Sequence, residues 1–264
     1  MKFANINGLT IHYSDNGRRH RPALVFVNSL GTDFRIWDQV AAGFGRRFRI
    51  ICYDKRGHGL SDAPIGPYSL QDHVDDLQAL LAQFEVDFVT LAGVSVGGMI
   101  AQSFCTQHSE RVSALVLCDT AARIGTADLW NERIARVRGS GLESIADAVL
   151  ERWFSGKFRQ QQATEFGGWR NMLIRTPAEG YASTCAAIRD ADLGQSTPLI
   201  TQPVLVVGGE HDGATPPDLV RSLAESIPGA RFELIRDAGH LPSIEQPESL
   251  FALMDDFFTE NDIG

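Results

Sequence analysis

The stretch Phe88-Val89-Thr90-Leu91-Ala92-Gly93-Val94-Ser95-Val96-Gly97-Gly98-Met99-Ile100-Ala101-Gln102 decides how the chain is read. Phe88–Ala92 is a short apolar run of the kind that forms a strand buried on both faces. The residues from Gly98 onward can begin a helix. Between them, Gly93-Val94-Ser95-Val96-Gly97 sets a serine on a sharp turn whose neighbours must be small. Such a turn lifts the hydroxyl clear of a sheet and above the N-terminus of the next helix, whose positive end favours a developing oxyanion. The five-residue pattern alone is weak, and a Gly-rich packing turn is its plainer reading. Its strand–turn–helix placement makes Ser95 a candidate nucleophile. A phosphate loop is a poor rival, because G-x-G-x-x-G spacing is absent and no lysine follows the glycines.

The same alternation extends outward from this stretch. Lys2–Asn7 and Leu9–Ser14, joined at Asn7-Gly8, read as a hairpin. Apolar runs at Ala23–Val27, Phe48–Tyr53, Ala114–Cys118, Val204–Val207 and Phe232–Ile235 read as further buried strands. Leu70, Val74, Leu77 and Leu81 recur at helical spacing, as do Leu250, Leu253 and Phe257 after Pro247. The expectation is a mostly parallel eight-stranded α/β sheet with helices on both faces. The alternation stops between Ala122 and Pro198. There the pattern predicts four or five helices, at Leu129–Val137, Ile145–Trp153, Lys157–Gln162, Phe166–Leu173 and Tyr181–Ile188. We therefore expect a core of residues 1–121 and 199–264 with an inserted helical cap over 122–198.

A nucleophilic serine needs a base and an orienting acid. His240, in Asp237-Ala238-Gly239-His240, follows the last strand and so falls at the sheet edge that carries Ser95. Asp212, in Gly209-Glu210-His211-Asp212, follows the preceding strand. The order serine, aspartate, histidine is that of one known triad arrangement. Asp119, after the strand before that, is the rival acid. The oxyanion is expected to meet the N–H of Val96 and one from the turn Asn28-Ser29-Leu30-Gly31, for which Leu30 is the choice. Asp54-Lys55-Arg56-Gly57-His58-Gly59-Leu60-Ser61-Asp62 reads as a structural turn.

Composition excludes several classes. The chain has 264 residues, 44% hydrophobic and 22% charged, which is globular rather than disordered. A net charge of −9 argues against nucleic acid or an anionic membrane as partner. Residues 122–198 hold ten basic and nine acidic residues, so the negative charge lies in the rest of the chain. A near-neutral lid with Trp130, Trp153 and Trp169 could favour a small anion with an apolar body; solvated helix faces are the bland alternative. Cys52, Cys105, Cys118 and Cys185 form no C-x-x-C pair and read as small buried hydrophobes. No run reaches the roughly 18 apolar residues that cross a bilayer. No metal is expected, since Asp72-His73-Val74-Asp75-Asp76 looks like a helix with mostly solvated acids and no H-E-x-x-H exists. These features lead us to expect a cytoplasmic protein, and they are compatible with a homo-oligomer.

The elbow, the placement of Asp212 and His240, and the position of the cap resemble the α/β-hydrolase superfamily. Four stretches resemble one branch of it, the bacterial 3-oxoadipate enol-lactonases. They are Asn28-Ser29-Leu30-Gly31-Thr32, Leu117-Cys118-Asp119-Thr120-Ala121-Ala122 with Ile124-Gly125, Met172-Leu173-Ile174-Arg175-Thr176-Pro177, and Gly209-Glu210-His211-Asp212-Gly213-Ala214-Thr215-Pro216-Pro217. The similarity spans nearly the whole chain and shows no departure at the triad positions. It implies cofactor-free hydrolysis of a small anionic lactone by Ser95, His240 and Asp212. The substrate carboxylate then needs a cation, for which Arg133 is the candidate, with Trp130 on the same side of its helix covering the apolar part. A carboxylesterase, a perhydrolase-like enzyme, a carbon–carbon bond hydrolase and a small-molecule receptor of the same fold remain alternatives. Aspartate-nucleophile hydrolases are disfavoured because position 95 is serine.

Overall fold

The computed structural model describes residues 2–264. In chain order the elements are β1 (Lys2–Ile6), β2 (Leu9–Asp15), β3 (Ala23–Val27), α1 (Asp38–Phe44), β4 (Arg49–Tyr53), α2 (Leu70–Gln83), β5 (Val89–Val94), α3 (Val96–Gln107) and β6 (Val112–Cys118). Five helices follow: α4 (Ala127–Ser140), α5 (Glu143–Trp153), α6 (Gly156–Gln161), α7 (Ala163–Ile174) and α8 (Ala178–Asp190). The sheet then resumes with β7 (Val204–Gly209), α9 (Pro217–Ser226), β8 (Arg231–Ile235), α10 (Pro242–Glu245) and α11 (Pro247–Glu260).

All eight strands form one sheet, in the order β1-β2-β4-β3-β5-β6-β7-β8. β1 pairs antiparallel with β2 and β2 antiparallel with β4; every other pair is parallel. β3, β4 and β5 are buried at every residue, and their sequences are apolar apart from Thr90 of β5 and Arg49 of β4, which is paired with Asp15 (2.7 Å). α1 packs against α11 and α2 against α3. α2 opens with a capping box between Ser69 and Asp72, and its apolar face buries Leu70, Val74, Leu77 and Leu81. Proline stands in the first turn of both α9 and α11, where its missing N–H costs nothing.

Several details differ from the sequence reading. Phe88 lies before β5 and is two-thirds exposed, and the strand runs on through Gly93 and Val94 into the elbow. β8 is the outer strand of the sheet and is only partly buried, because one of its edges has no neighbour. α1 was not anticipated; its seven residues are too few to display a period. Of the α2 acids, Asp75 is exposed and Asp72 partly so, but Asp76 is buried, as is His73. Asp76 is held by Arg56 through two hydrogen bonds of 2.6 and 2.8 Å. All four cysteines are buried and unbridged. No helix among the described residues is long and apolar enough to cross a membrane.

The topology sets up a site. β3 and β5 are adjacent, yet the chain leaves β3 towards one side of the sheet and β5 towards the other. Open α/β sheets bind ligands in the crevice at such a switch point, beyond the carboxyl ends of the strands. Leu30, Ser95, Asp119, Asp212 and His240 follow β3, β5, β6, β7 and β8 respectively, so all five stand on that edge.

Candidate active site

Ser95 joins β5 to α3 with φ +59° and ψ −121°, in a region of positive φ that side chains rarely adopt. The flanking glycines explain how the turn is tolerated. A Cβ on Gly93 would collide with the Gly97 carbonyl, and one on Gly97 with the Val27 carbonyl of β3. Three hydrogen bonds hold the strained residue. Its N–H donates to the Cys118 carbonyl (3.0 Å), and its carbonyl accepts from the Met99 N–H (3.1 Å) and from Thr120 Oγ1 (2.6 Å).

His240 and Asp212 are both buried, and His240 Nδ1 lies 2.8 Å from Asp212 Oδ2. The carboxylate also accepts from the N–H groups of Ala214 (2.6 Å) and Thr215 (3.0 Å) and from Thr215 Oγ1 (2.6 Å). Burial alone would push this carboxyl up. The facing imidazole and these donors outweigh it and hold Asp212 below the usual carboxylate range. An ionised Asp212 accepts, so Nδ1 carries the proton and Nε2 is the basic nitrogen. Ser95 and His240 line one cavity of about 50 Å³, without a hydrogen bond between them in this structure. In unliganded sites such bonds often form only around bound substrate.

The rival acid is beside the pair but not in its place. Asp119 is fully buried; its Oδ1 accepts the Gly209 N–H (2.7 Å), and its Oδ2 has no partner. Burial and the charge of Asp212 push its carboxyl well up. Asp119, Asp212 and His240 are the one grouping among the described residues that has metal-ligand side chains within 4.8 Å of one another. Four donors already occupy the four lone-pair sites of Asp212, which leaves it none for an ion.

The loop after β3 brings its backbone to the same cavity, and the N–H groups of Leu30 and Val96 make no hydrogen bond within the protein. The turn after β4 holds this loop from below. Lys55, fully buried, donates to the Ser29 carbonyl. The Gly31 N–H donates to His58 Nε2 (2.9 Å), while His58 Nδ1 faces the Arg56 carbonyl (3.1 Å). That pair of partners requires a neutral ring protonated at Nδ1. Burial, and then the Lys55 charge, holds the imidazole well below its ordinary value, which maintains that form.

The helices α4, α5 and α8 supply the other wall. Trp130 and Arg133 of α4 both line the cavity, with the guanidinium over the indole at 4.9 Å from the ring centroid. The Trp130 N–H is spent on the Ile124 carbonyl (2.6 Å), so the indole has no free donor to turn towards the cavity. Arg152 and Tyr181 line the same cavity and escaped the sequence reading. Arg152 carried a legible signal: like Arg133, it has no acidic residue three or four positions away on its helix. The Tyr181 hydroxyl is buried without a partner. The α5–α6 junction is fastened to the loops that carry Asp212 and His240. The His240 N–H donates to the Trp153 carbonyl (2.8 Å), the Gly213 N–H to the Arg152 carbonyl (3.0 Å), and Arg152 Nε to the Gly213 carbonyl (2.7 Å).

Fold and site together define a class, and comparison with known proteins agrees. The chain belongs to the α/β-hydrolase fold family, which it matches over residues 22–247. It is 36% identical to 3-oxoadipate enol-lactonase 2 of Acinetobacter baylyi over 91% of this chain and 90% of that protein. It is 34% identical to 3-oxoadipate enol-lactonase 1 of the same organism, over 97% and 96%. The crystal structure of the enol-lactonase from Burkholderia xenovorans LB400 superposes with a TM-score of 0.95 at 38% identity, covering 98% of this chain and all of that one. With such relatives the protein is a hydrolase acting on ester bonds.

Proposed function

We propose that the protein hydrolyses 3-oxoadipate enol-lactone to 3-oxoadipate, a step in the bacterial breakdown of aromatic compounds, with helices α4–α8 as the cap over its site. The observation that carries this reading is the cavity itself. It joins the strained Ser95 and the buried His240–Asp212 pair to two guanidinium groups, those of Arg133 and Arg152, that have no carboxylate partner. The enol-lactonase relatives supply the lactone, and the unpaired cations suit its carboxylate.

In this mechanism Ser95 Oγ attacks the lactone carbonyl carbon while His240 Nε2 takes the hydroxyl proton. Asp212 holds the imidazole and stabilises its positive charge. The N–H groups of Leu30 and Val96 receive the oxyanion. The ring C–O bond breaks, the enol oxygen leaves with the proton from His240, and the enol becomes the ketone. Water activated by His240 then releases the acyl chain from Ser95. Trp130 covers the apolar part of the lactone, and Arg133 holds the carboxylate.

The test is turnover of freshly generated enol-lactone, corrected for its spontaneous hydrolysis, with Ser95→Ala as control. Wild-type turnover at about 1–1000 per second, against near-background rates for the variant, is the expected result. Cleavage of simple aryl esters that depends on Ser95, with no lactone turnover, would keep the hydrolase and remove the lactonase. Removing Arg133 should raise KM for the anionic lactone far more than for a neutral ester; an equal rise in both would remove its assigned role.

A further inference from the structure

The catalytic cavity, at about 50 Å³, has room for little more than a water or two. Small-molecule sites commonly run to roughly 300–1,000 Å³. A second cavity of about 180 Å³ lies behind it, and the two share four lining residues: Leu129, Arg133, Val149 and Arg152. Leu129 and Arg133 are one turn apart on α4, and Val149 and Arg152 are one turn apart on α5. The partition between the cavities is therefore the seam between these two helices. Arg136 stands on the outer side, one turn beyond Arg133.

The charges along this seam are unusual for their surroundings. Of the six other arginines between β6 and β7, five sit against carboxylates, in the pairs Arg123–Asp192, Arg138–Glu179, Arg159–Glu151, Arg170–Asp147 and Arg189–Asp190; Arg175, away from the seam, is the exception. Arg133, Arg136 and Arg152 form no ion pair, although Glu132 shares the outer rim. Burial, and then the neighbouring charge of Arg133, draws the Arg152 guanidinium below its ordinary range. The charge of Asp212 offsets this only in part, and cations so crowded are relieved by an incoming anion.

We propose that the α4–α5 seam is the passage by which a small carboxylate-bearing substrate reaches Ser95, with Arg136 drawing the anion to its mouth and Arg133 and Arg152 receiving it at the partition. The proposal rests on the reading of the substrate as an anion. The carboxylate is held at the partition, and the apolar ring passes Leu129 and Val149 into the chamber beyond it. On this view the arginine row acts on the rate of arrival as well as on binding, since a row of like charges along a cleft steers an oppositely charged ligand.

The test separates passage from binding site by kinetics. In a Ser95→Ala background, stopped-flow tryptophan fluorescence follows association of a saturated lactone acid, 5-oxotetrahydrofuran-2-acetate, with its uncharged methyl ester as control. Ala148 is exposed, lines only the outer cavity and takes no part in the chemistry. Ala148→Phe should slow association and dissociation together by about 10-fold, leaving Kd nearly unchanged, because an obstruction in a passage does not alter its end points. Arg136→Glu should slow association of the acid by about 10-fold at low salt, with the difference shrinking as salt rises, and leave the methyl ester unaffected. Unchanged association rates in Ala148→Phe, or equal effects of Arg136→Glu on acid and ester, would overturn the proposal. If the wild type turns over the enol-lactone while Ala148→Phe changes nothing, the passage alone falls. If the acid fails to bind at millimolar concentration, the anionic substrate and the passage fall together.

Discussion

Asp119 and Asp212 are buried neighbours whose surroundings push their protons in opposite directions. Asp212 has four donors and a facing imidazole, and stays ionised. Asp119 has one donor, an orphaned oxygen and the charge of Asp212 beside it, and favours the neutral acid. An acid whose folded pKa is raised contributes stability that is complete below its unfolded value, near 3.8, and is lost as pH rises towards the folded value. Asn at this position keeps the shape and cannot ionise. Asp119→Asn should therefore match the wild type in Tm near pH 4 and exceed it increasingly towards pH 8, with kcat little changed. If Asp119 instead oriented the imidazole, the same substitution would cost about 10⁴-fold in kcat, the loss expected when the acid of a triad becomes an amide. Asp212→Asn should show that loss. Steady-state kinetics and thermal melts of the two variants decide between the two carboxyls.

At the scale of elements, the turn after β4 does more than link a strand to a helix. Its His58 accepts the Gly31 N–H, and its Lys55 holds the Ser29 carbonyl, so one turn fixes both sides of Leu30. His58→Ala leaves the Gly31 donor buried and unpaired and frees the loop that presents the Leu30 N–H. We expect kcat to fall while KM stays near its wild-type value, by less than the roughly 100- to 1,000-fold loss that follows removal of an oxyanion donor itself. A rise in KM with unchanged kcat would show that the loop shapes binding instead. This role was not legible in the sequence, because His58 and Gly31 are 27 residues apart and only the pairing of β3 with β4 brings them together. The elbow was legible because everything that marks it is local: an apolar run, small residues at two fixed offsets, and a helix start. The order of Ser95, Asp212 and His240 was equally legible, since each follows its own strand. The partial exposure of β8 and Phe88 was not, because burial depends on position in the sheet rather than on apolarity alone.

At the scale of the whole molecule, the helices between β6 and β7 are not uniformly attached to the sheet. Near the end of α5 they are fastened through Glu245, which accepts from the Gly239 N–H (2.7 Å), the Ser155 N–H (3.1 Å) and Ser155 Oγ (2.6 Å). One carboxylate thereby ties the α5–α6 junction to the residue preceding His240. Gly239 is required there, since a Cβ would collide with the Trp153 carbonyl. The fastening makes the position of His240, the proposed general base, depend on the seating of these helices. Glu245→Ala leaves three donors without their acceptor, each loss being worth about 1–3 kcal/mol where the donor stays dry. We expect a lower Tm, faster tryptic cleavage at Lys157 and Arg159 in α6, and a fall in kcat that exceeds any rise in KM, because His240 moves with the loop. A variant that melts lower and is cleaved faster but keeps its kcat would show that the backbone bond from His240 to Trp153 positions the imidazole unaided. Wild-type values for all three would show that this fastening contributes nothing to the seating of these helices or to the position of His240.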